Sequence, residues 1–143
     1  MQSFTINKEI QIKASVESVF SALTTSEKII QYFPLTSVQS EWIMNGEVIY
    51  KGEVNGMPFT DFGIIDVISS PTVYSYRYWS DNHGTERKTE NYITIGYSLE
   101  KLVDGTLLKM EQSNIQSTEL YELMNNQVWG FLLGSLRDYL ESN

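Results

Sequence analysis

Tyr74, Tyr76 and Tyr78 occupy every second position of a β-rich run, and strand alternation puts their three phenols on one face. Ile95, Tyr97 and Leu99 repeat that spacing in the following run, and Leu108, Met110 and Gln112 repeat it in the run after. Val48 and Tyr50 do the same earlier in the chain. Rings that supply apolar area beside hydroxyl and amide tips suit a flat, mostly apolar ligand, whose orientation the tips would fix. The same residues would also serve as ordinary core packing. A buried phenol left without a partner costs about 1–3 kcal/mol, so some tyrosine hydroxyls are expected to meet water or ligand.

Other chemistry finds less support. His83 is the single histidine and lies in a polar stretch with Asp81, Asn82 and Glu86, where nothing apolar is expected to exclude water from a catalytic pair. The cysteine count is zero, which removes thiolate nucleophiles and, with one histidine, leaves no transition-metal ligand set. No cofactor is expected. Asp61-Phe62-Gly63 resembles a kinase tripeptide, but the Gly-rich and catalytic loops are missing. Arg77, Arg87 and Lys88 form the one basic concentration, which reads as a solvated hairpin or a partner-docking edge.

Elements that could position the tyrosines follow from the pattern. Phe4 to Lys13 reads as a first strand, with a disturbance at Asn7 to Glu9 that suits a bulge. Val16, Val19, Phe20 and Leu23 behind Ser15 predict a short helix. A second, opened by Thr25 or Ser26, carries Ile29, Ile30 and Phe33 and stops at Pro34. Beyond it, Asn45-Gly46, Asn55-Gly56 and Asp104-Gly105 are dipeptides suited to tight hairpin turns. With breaks at Ser69-Ser70-Pro71 and Ser80 to Glu90, they predict about six consecutive antiparallel strands, the first strand closing one side. From about Thr118 to Ser142, Leu120, Met124, Val128, Leu132, Leu136 and Leu140 fall at four-residue steps and predict one long helix. Its wide apolar arc implies a concave partner surface, and Asn125 and Ser135 interrupt that arc as candidate ligand contacts or as partners of sheet backbone or water. The result is an α+β domain over residues 1–143.

The formal net charge of -8 opposes nucleic acid and anionic membrane as partners. No apolar run reaches the roughly 18 residues of a membrane span, and the start Met1-Gln2-Ser3-Phe4 lacks a secretory pattern. A cytoplasmic protein without membrane insertion is the expectation.

Over nearly the whole chain the sequence resembles the family of homologues of the activator of the 90-kDa heat-shock chaperone ATPase, within the START and birch-pollen-allergen superfamily. The resemblance rests on Ile12, Ala14, Val19-Phe20 and Ala22-Leu23-Thr24, then on Glu27 and Tyr32-Phe33, where the family usually has Trp-Phe. It continues through Asn45-Gly46, Gly63, Val67, Pro71 and the Tyr74-Tyr76-Tyr78 run, where Trp is common at the last position. Gly105-Thr106, Leu108 and Gln112 extend it, and Trp129, Leu133, Leu136 and Leu140 complete the register.

The resemblance implies a helix-grip fold, in which a curved antiparallel sheet holds two small helices and a long C-terminal helix, and it makes the tyrosine face the interior. Many relatives enclose lipids, sterols, polyketides or flavonoid-like molecules, whereas the eukaryotic namesake contacts a chaperone. The expected ligand contacts are Phe33, Trp42, Tyr50, Tyr74, Tyr76, Tyr78, Tyr97, Met110, Gln112, Met124, Asn125, Val128 and Leu132. Three functions stay open at this point: an apolar small-molecule binder, a protein-interaction domain of the co-chaperone kind, and a cavity enzyme using a tyrosine or carboxylate as general acid.

Overall fold

In a computed structural model, which describes residues 3–142, seven antiparallel strands form one sheet in the order β1-β7-β6-β5-β4-β3-β2. The strands are β1 (Phe4–Ile12), β2 (Leu35–Ser40), β3 (Glu47–Val54), β4 (Met57–Ser69), β5 (Val73–Ser80), β6 (Ile93–Leu102) and β7 (Gly105–Ile115). β2 to β7 are the expected six-strand meander, and β1 closes it against β7. The helices α1 (Val16–Leu23) and α2 (Ser26–Tyr32) separate β1 from the meander. Ser15 caps α1 by accepting from the Ser18 amide at 3.1 Å, satisfying one of the donors a helix start leaves open. Among the described residues no helix is long and apolar enough to cross a membrane.

Three local expectations change. The first strand has no disturbance at Asn7 to Glu9: its ladder to β7 is continuous from Ile6 to Ile12, and the irregularity falls between Phe4 and Ile6. The hairpin near Asp104-Gly105 turns on Val103 and Asp104, with Leu102 opposite Gly105. Gly105 serves a different purpose there, since a Cβ at that position would lie 2.2 Å from the Ile12 carbonyl oxygen. Asn45-Gly46 belongs to a six-residue loop in which Gly46 N–H donates to the Ile43 carbonyl at 3.0 Å and only Asn45 of the pair has positive φ. Asn55-Gly56 alone forms the two-residue turn with both φ values positive.

The C-terminal helix is continuous but changes winding. It runs as α3 (Thr118–Leu123), a π turn (Met124–Val128) and α4 (Trp129–Glu141). A strict four-residue step overshoots each 3.6-residue turn by about 40°, so the stripe from Leu120 to Leu140 could not stay on one face of a regular α-helix. The wider i→i+5 turn absorbs part of the excess. Past it the core-facing residues are Trp129, Leu133 and Leu136, all buried, whereas α3 and the π turn bury none. Glu141 then ties α4 to the end of β1 by accepting from the Lys13 amide at 2.9 Å.

Candidate functional site

Strand register assembles the inner face of the sheet. Tyr74 stands opposite Tyr97, Tyr76 opposite Ile95 and Tyr78 opposite Ile93, while Tyr97 and Ile95 stand opposite Met110 and Gln112 on β7. Tyr50 joins from β3, and all five tyrosines are buried with Met110 and Gln112. Ring centroids are 5.2 Å apart for Tyr74 and Tyr76, 5.6 Å for Tyr50 and Tyr76, 6.0 Å for Tyr76 and Tyr78, and 6.2 Å for Tyr74 and Tyr97. Such spacings lie in the range where aromatic pairs attract. The alternation read from the sequence thus yields one aromatic wall on the side the helices cover.

Several polar tips on this wall pair with one another. The Tyr50 and Tyr74 hydroxyls share a hydrogen bond of 3.0 Å. Gln112 donates through Nε2 to the Tyr78 hydroxyl at 3.2 Å and accepts from Trp129 Nε1 at 2.7 Å. Tyr32 donates to the Ala22 carbonyl at 2.7 Å. Burial pushes Tyr32, Tyr50, Tyr74, Tyr76, Tyr78 and Tyr97 above the ordinary phenol range, because the charged phenolate is poorly solvated there. Burial thus favours the neutral phenols near neutral pH.

The other expected contacts divide. Trp42 leans edge-on against Tyr74 from the β2–β3 loop, with centroids 5.9 Å apart, and Phe33 meets Tyr32 edge-on at 4.5 Å. Met124 and Leu132 are partly buried and pack on the core. Val128 and Asn125 are partly buried, and the Asn125 amide donates to Asn126 Oδ1 at 3.2 Å. Arg77 and Arg87 line one small recess with Thr89 and Tyr92, and each basic residue has its own partner: Arg77 pairs with Asp66 at 3.0 Å, Arg87 lies 4.2 Å over the Phe62 ring, and Lys88 pairs with Glu86 at 3.0 Å. Each cation is engaged locally, as in a solvated hairpin. His83 departs from expectation. Its ring packs edge-on to Tyr78 with centroids 5.5 Å apart, and burial lowers its pKa below the usual 6.5.

Sequence reasoning missed Tyr32, Trp129 and above all Asp61. Asp61 shares strand parity with the buried Gly63 and Ile65, stands opposite Tyr50 on β3 and Ser80 on β5, and is itself partly buried. Its carboxyl therefore faces the interior at the rim of the aromatic wall. Burial, reinforced by nearby Asp81 and opposed by the neighbouring Ser80 hydroxyl, raises its pKa from 3.8 to about 6. A carboxyl raised in this way favours the folded state fully below its unfolded pKa and loses that advantage as pH rises through about 6. Asp61→Asn is therefore expected to be more stable than the parent by about 1–2 kcal/mol near pH 7.5, with the gain vanishing near pH 4; urea unfolding at the two pH values checks it.

Between helix and sheet, Tyr97 packs edge-on against Trp129 and stacks on Tyr74. An open groove of about 610 Å³ lies on the opposite face, where Asn7, Glu9, Ser98, Lys109 and Glu111 alternate with the buried residues. Val73 and Gly96 also line it, between those polar and charged side chains, and it lies outside the inner face on which the tyrosine rings meet.

With fold and site in view, the comparisons place the chain. Residues 13–141 match the family described as activator of Hsp90 ATPase homolog 1-like protein, and the chain belongs to that family. The solution structure of a Cytophaga hutchinsonii protein is 26% identical, covers 99% of this chain and 97% of its own, and superposes with a TM-score of 0.83. The solution structure of the Aha1 dimer from Colwellia psychrerythraea is 22% identical over 96% of each chain, with a TM-score of 0.76. DynU16, from the dynemicin biosynthetic locus, is 17% identical over 96% of this chain and 47% of its own, with a TM-score of 0.72. The last two share the fold alone. No curated protein sequence matches the chain.

Proposed function

We propose that the protein binds a flat, mostly apolar small molecule between the tyrosine wall and the first half of the gripping helix. The observation that carries this is the pairing of two unlike surfaces. One is a wall of five phenol rings with hydroxyl and amide tips; the other is α3 and the π turn, which contribute no buried side chain. This segment is held by the partly buried Leu120, Tyr121 and Met124 and by a Phe4–Tyr121 ring stack at 4.9 Å, and it opens at lower free-energy cost than α4, which the buried Trp129, Leu133 and Leu136 anchor. The π turn at their junction supplies a point at which the helix can bend. Neutral phenols and the Gln112 amide would exchange their internal hydrogen bonds for bonds to hydroxyl or carbonyl groups of the ligand. The fold shared with DynU16, which comes from a biosynthetic locus, is consistent with a small-molecule setting.

The protein-interaction reading has weaker footing here. Exposed apolar residues are spread over several elements, with Ile43 and Met44 before β3, Val54 and Met57 at its far end, Val103 in the β6–β7 turn and Leu123 and Phe131 on the C-terminal helix, whereas docking surfaces favour one contiguous patch.

The test is a thermal-shift screen of fatty acids, flavonoids, polyketides and substituted naphthalenes. A true ligand at a hundred times its Kd is expected to add about 2.7 kcal/mol, which for a domain of this size raises Tm by roughly 5–12 °C. Absence of any shift across all classes at millimolar concentration would overturn the proposal.

A further inference from the structure

Resting on that reading of the grip interior, we propose that Asp61 is its polar anchor and that the ligand is a flat apolar molecule bearing one basic amine. The ring system would lie against Tyr76 and Tyr78, with the ammonium at the Asp61 carboxylate.

Placement carries the argument. Asp61 sits at the rim of the wall, partly exposed, so an incoming group reaches it before the rings behind it. Facing it are Tyr50 from β3, Tyr76, Tyr78 and Ser80 from β5, and Asp81 at the start of the β5–β6 loop, with His83 beyond on the Tyr78 ring. No cation stands among these groups. The three ion pairs found among the described residues all lie elsewhere. The Ser80 hydroxyl, which favours the charged carboxylate and also lies 2.7 Å from Asn82 Oδ1, carries no charge to balance it. Asp61 is thus an inward carboxylate without a counter-ion, a costly arrangement that an ammonium would relieve.

The surroundings select the same chemistry. Phenol faces attract a cation electrostatically, and more strongly where water is thinned out. A carboxylate-bearing ligand would set like charges against each other at Asp61 and Asp81. A neutral alcohol would gain the rings but little from the carboxylate. The chain's net charge of -8 also raises the local concentration of cationic molecules.

Three matched probes separate these contributions: naphthylmethylamine, naphthylmethanol and naphthoic acid, titrated calorimetrically into the full chain and into Asp61→Asn. Near pH 7.5 the amine is expected to bind at least about tenfold more tightly than the alcohol, and the acid most weakly. In Asp61→Asn the amine falls to within about threefold of the alcohol measured on the same variant. In the parent, moving from about pH 7.5 to pH 5 weakens the amine about tenfold as Asp61, with a pKa of about 6, takes up a proton; the alcohol does not follow. If the alcohol binds and the amine has no advantage, or keeps it in Asp61→Asn, the anchor is wrong while the ligand site stands. If none of the three binds at millimolar concentration, both proposals fall.

Discussion

Replacing Trp129 with alanine is expected to destabilise the domain by about 4–8 kcal/mol, enough to leave much of it unfolded at ambient temperature. Two effects add. The indole is 2% exposed and meets Tyr97 edge-on at a centroid distance of 6.2 Å, so its removal opens a large cavity at about 3–5 kcal/mol. It also donates to Gln112 Oε1 at 2.7 Å, and a fully buried acceptor left alone costs about a further 1–3 kcal/mol. Trp129→Phe separates the two, since it keeps much of the ring volume and still strands Gln112. In that background Gln112→Leu is expected to cost less than it does alone, because both partners are then gone. Urea unfolding of the four proteins in the cycle checks this; strict additivity would mean that the Gln112–Trp129 bond contributes nothing.

Gly105→Ala is the second large effect, at about 2–4 kcal/mol. The new Cβ would stand 2.2 Å from the Ile12 carbonyl oxygen, with Ile12 C and Lys13 Cα each at 3.1 Å. All three are backbone atoms, so relief requires parting β7 from β1 at the point where the sheet closes. Gly56→Ala is the matching control: φ there is +80° but nothing lies within 4 Å of a Cβ, which leaves only the left-handed strain of about 1 kcal/mol. Thermal unfolding of the two variants should rank them in that order. Equal losses would show that conformation, and not the approach of β1, sets the requirement for glycine.

Gly105 illustrates what could be read in the sequence and what could not. Asp-Gly between two β-rich runs correctly marks a hairpin, because few other pairs turn so tightly. Its use one residue later than the dipeptide suggests depends on β1, some ninety residues away in the chain. The tyrosine wall was legible for a local reason: two-residue alternation puts Tyr74, Tyr76 and Tyr78 on one side whatever the tertiary context. Trp129 lies outside the four-residue stripe from Leu120 to Leu140, so a constant α-helical winding does not give it the buried place it takes against Gln112. The four-residue spacing was itself the sign of a π turn, since no regular α-helix keeps such a stripe on one face.

Asp61 was hidden differently. Its side of β4 follows from parity with Gly63 and Ile65, but glycine says nothing about burial in a pattern, and the bulge between Ile65 and Val67 breaks the alternation that would have extended it. Similarly, His83 looked solvated among Asp81, Asn82 and Glu86, and only folding of the loop brought it onto the Tyr78 ring. Contacts that depend on how a loop returns to its sheet leave no local trace. The composition of Ser80 to Glu90 was correctly that of a loop, and it carried no information about the face the loop would cover.

The claim that the tyrosine wall receives the ligand is tested most directly by intermolecular nuclear Overhauser contacts to bound naphthylmethanol, whose recognition does not depend on Asp61. Contacts from the naphthyl protons to the Met110 methyl group and to the rings of Tyr76 and Tyr97 are the predicted result. Contacts confined to Ser98, Lys109 and Glu111 in the groove on the opposite face would contradict the account.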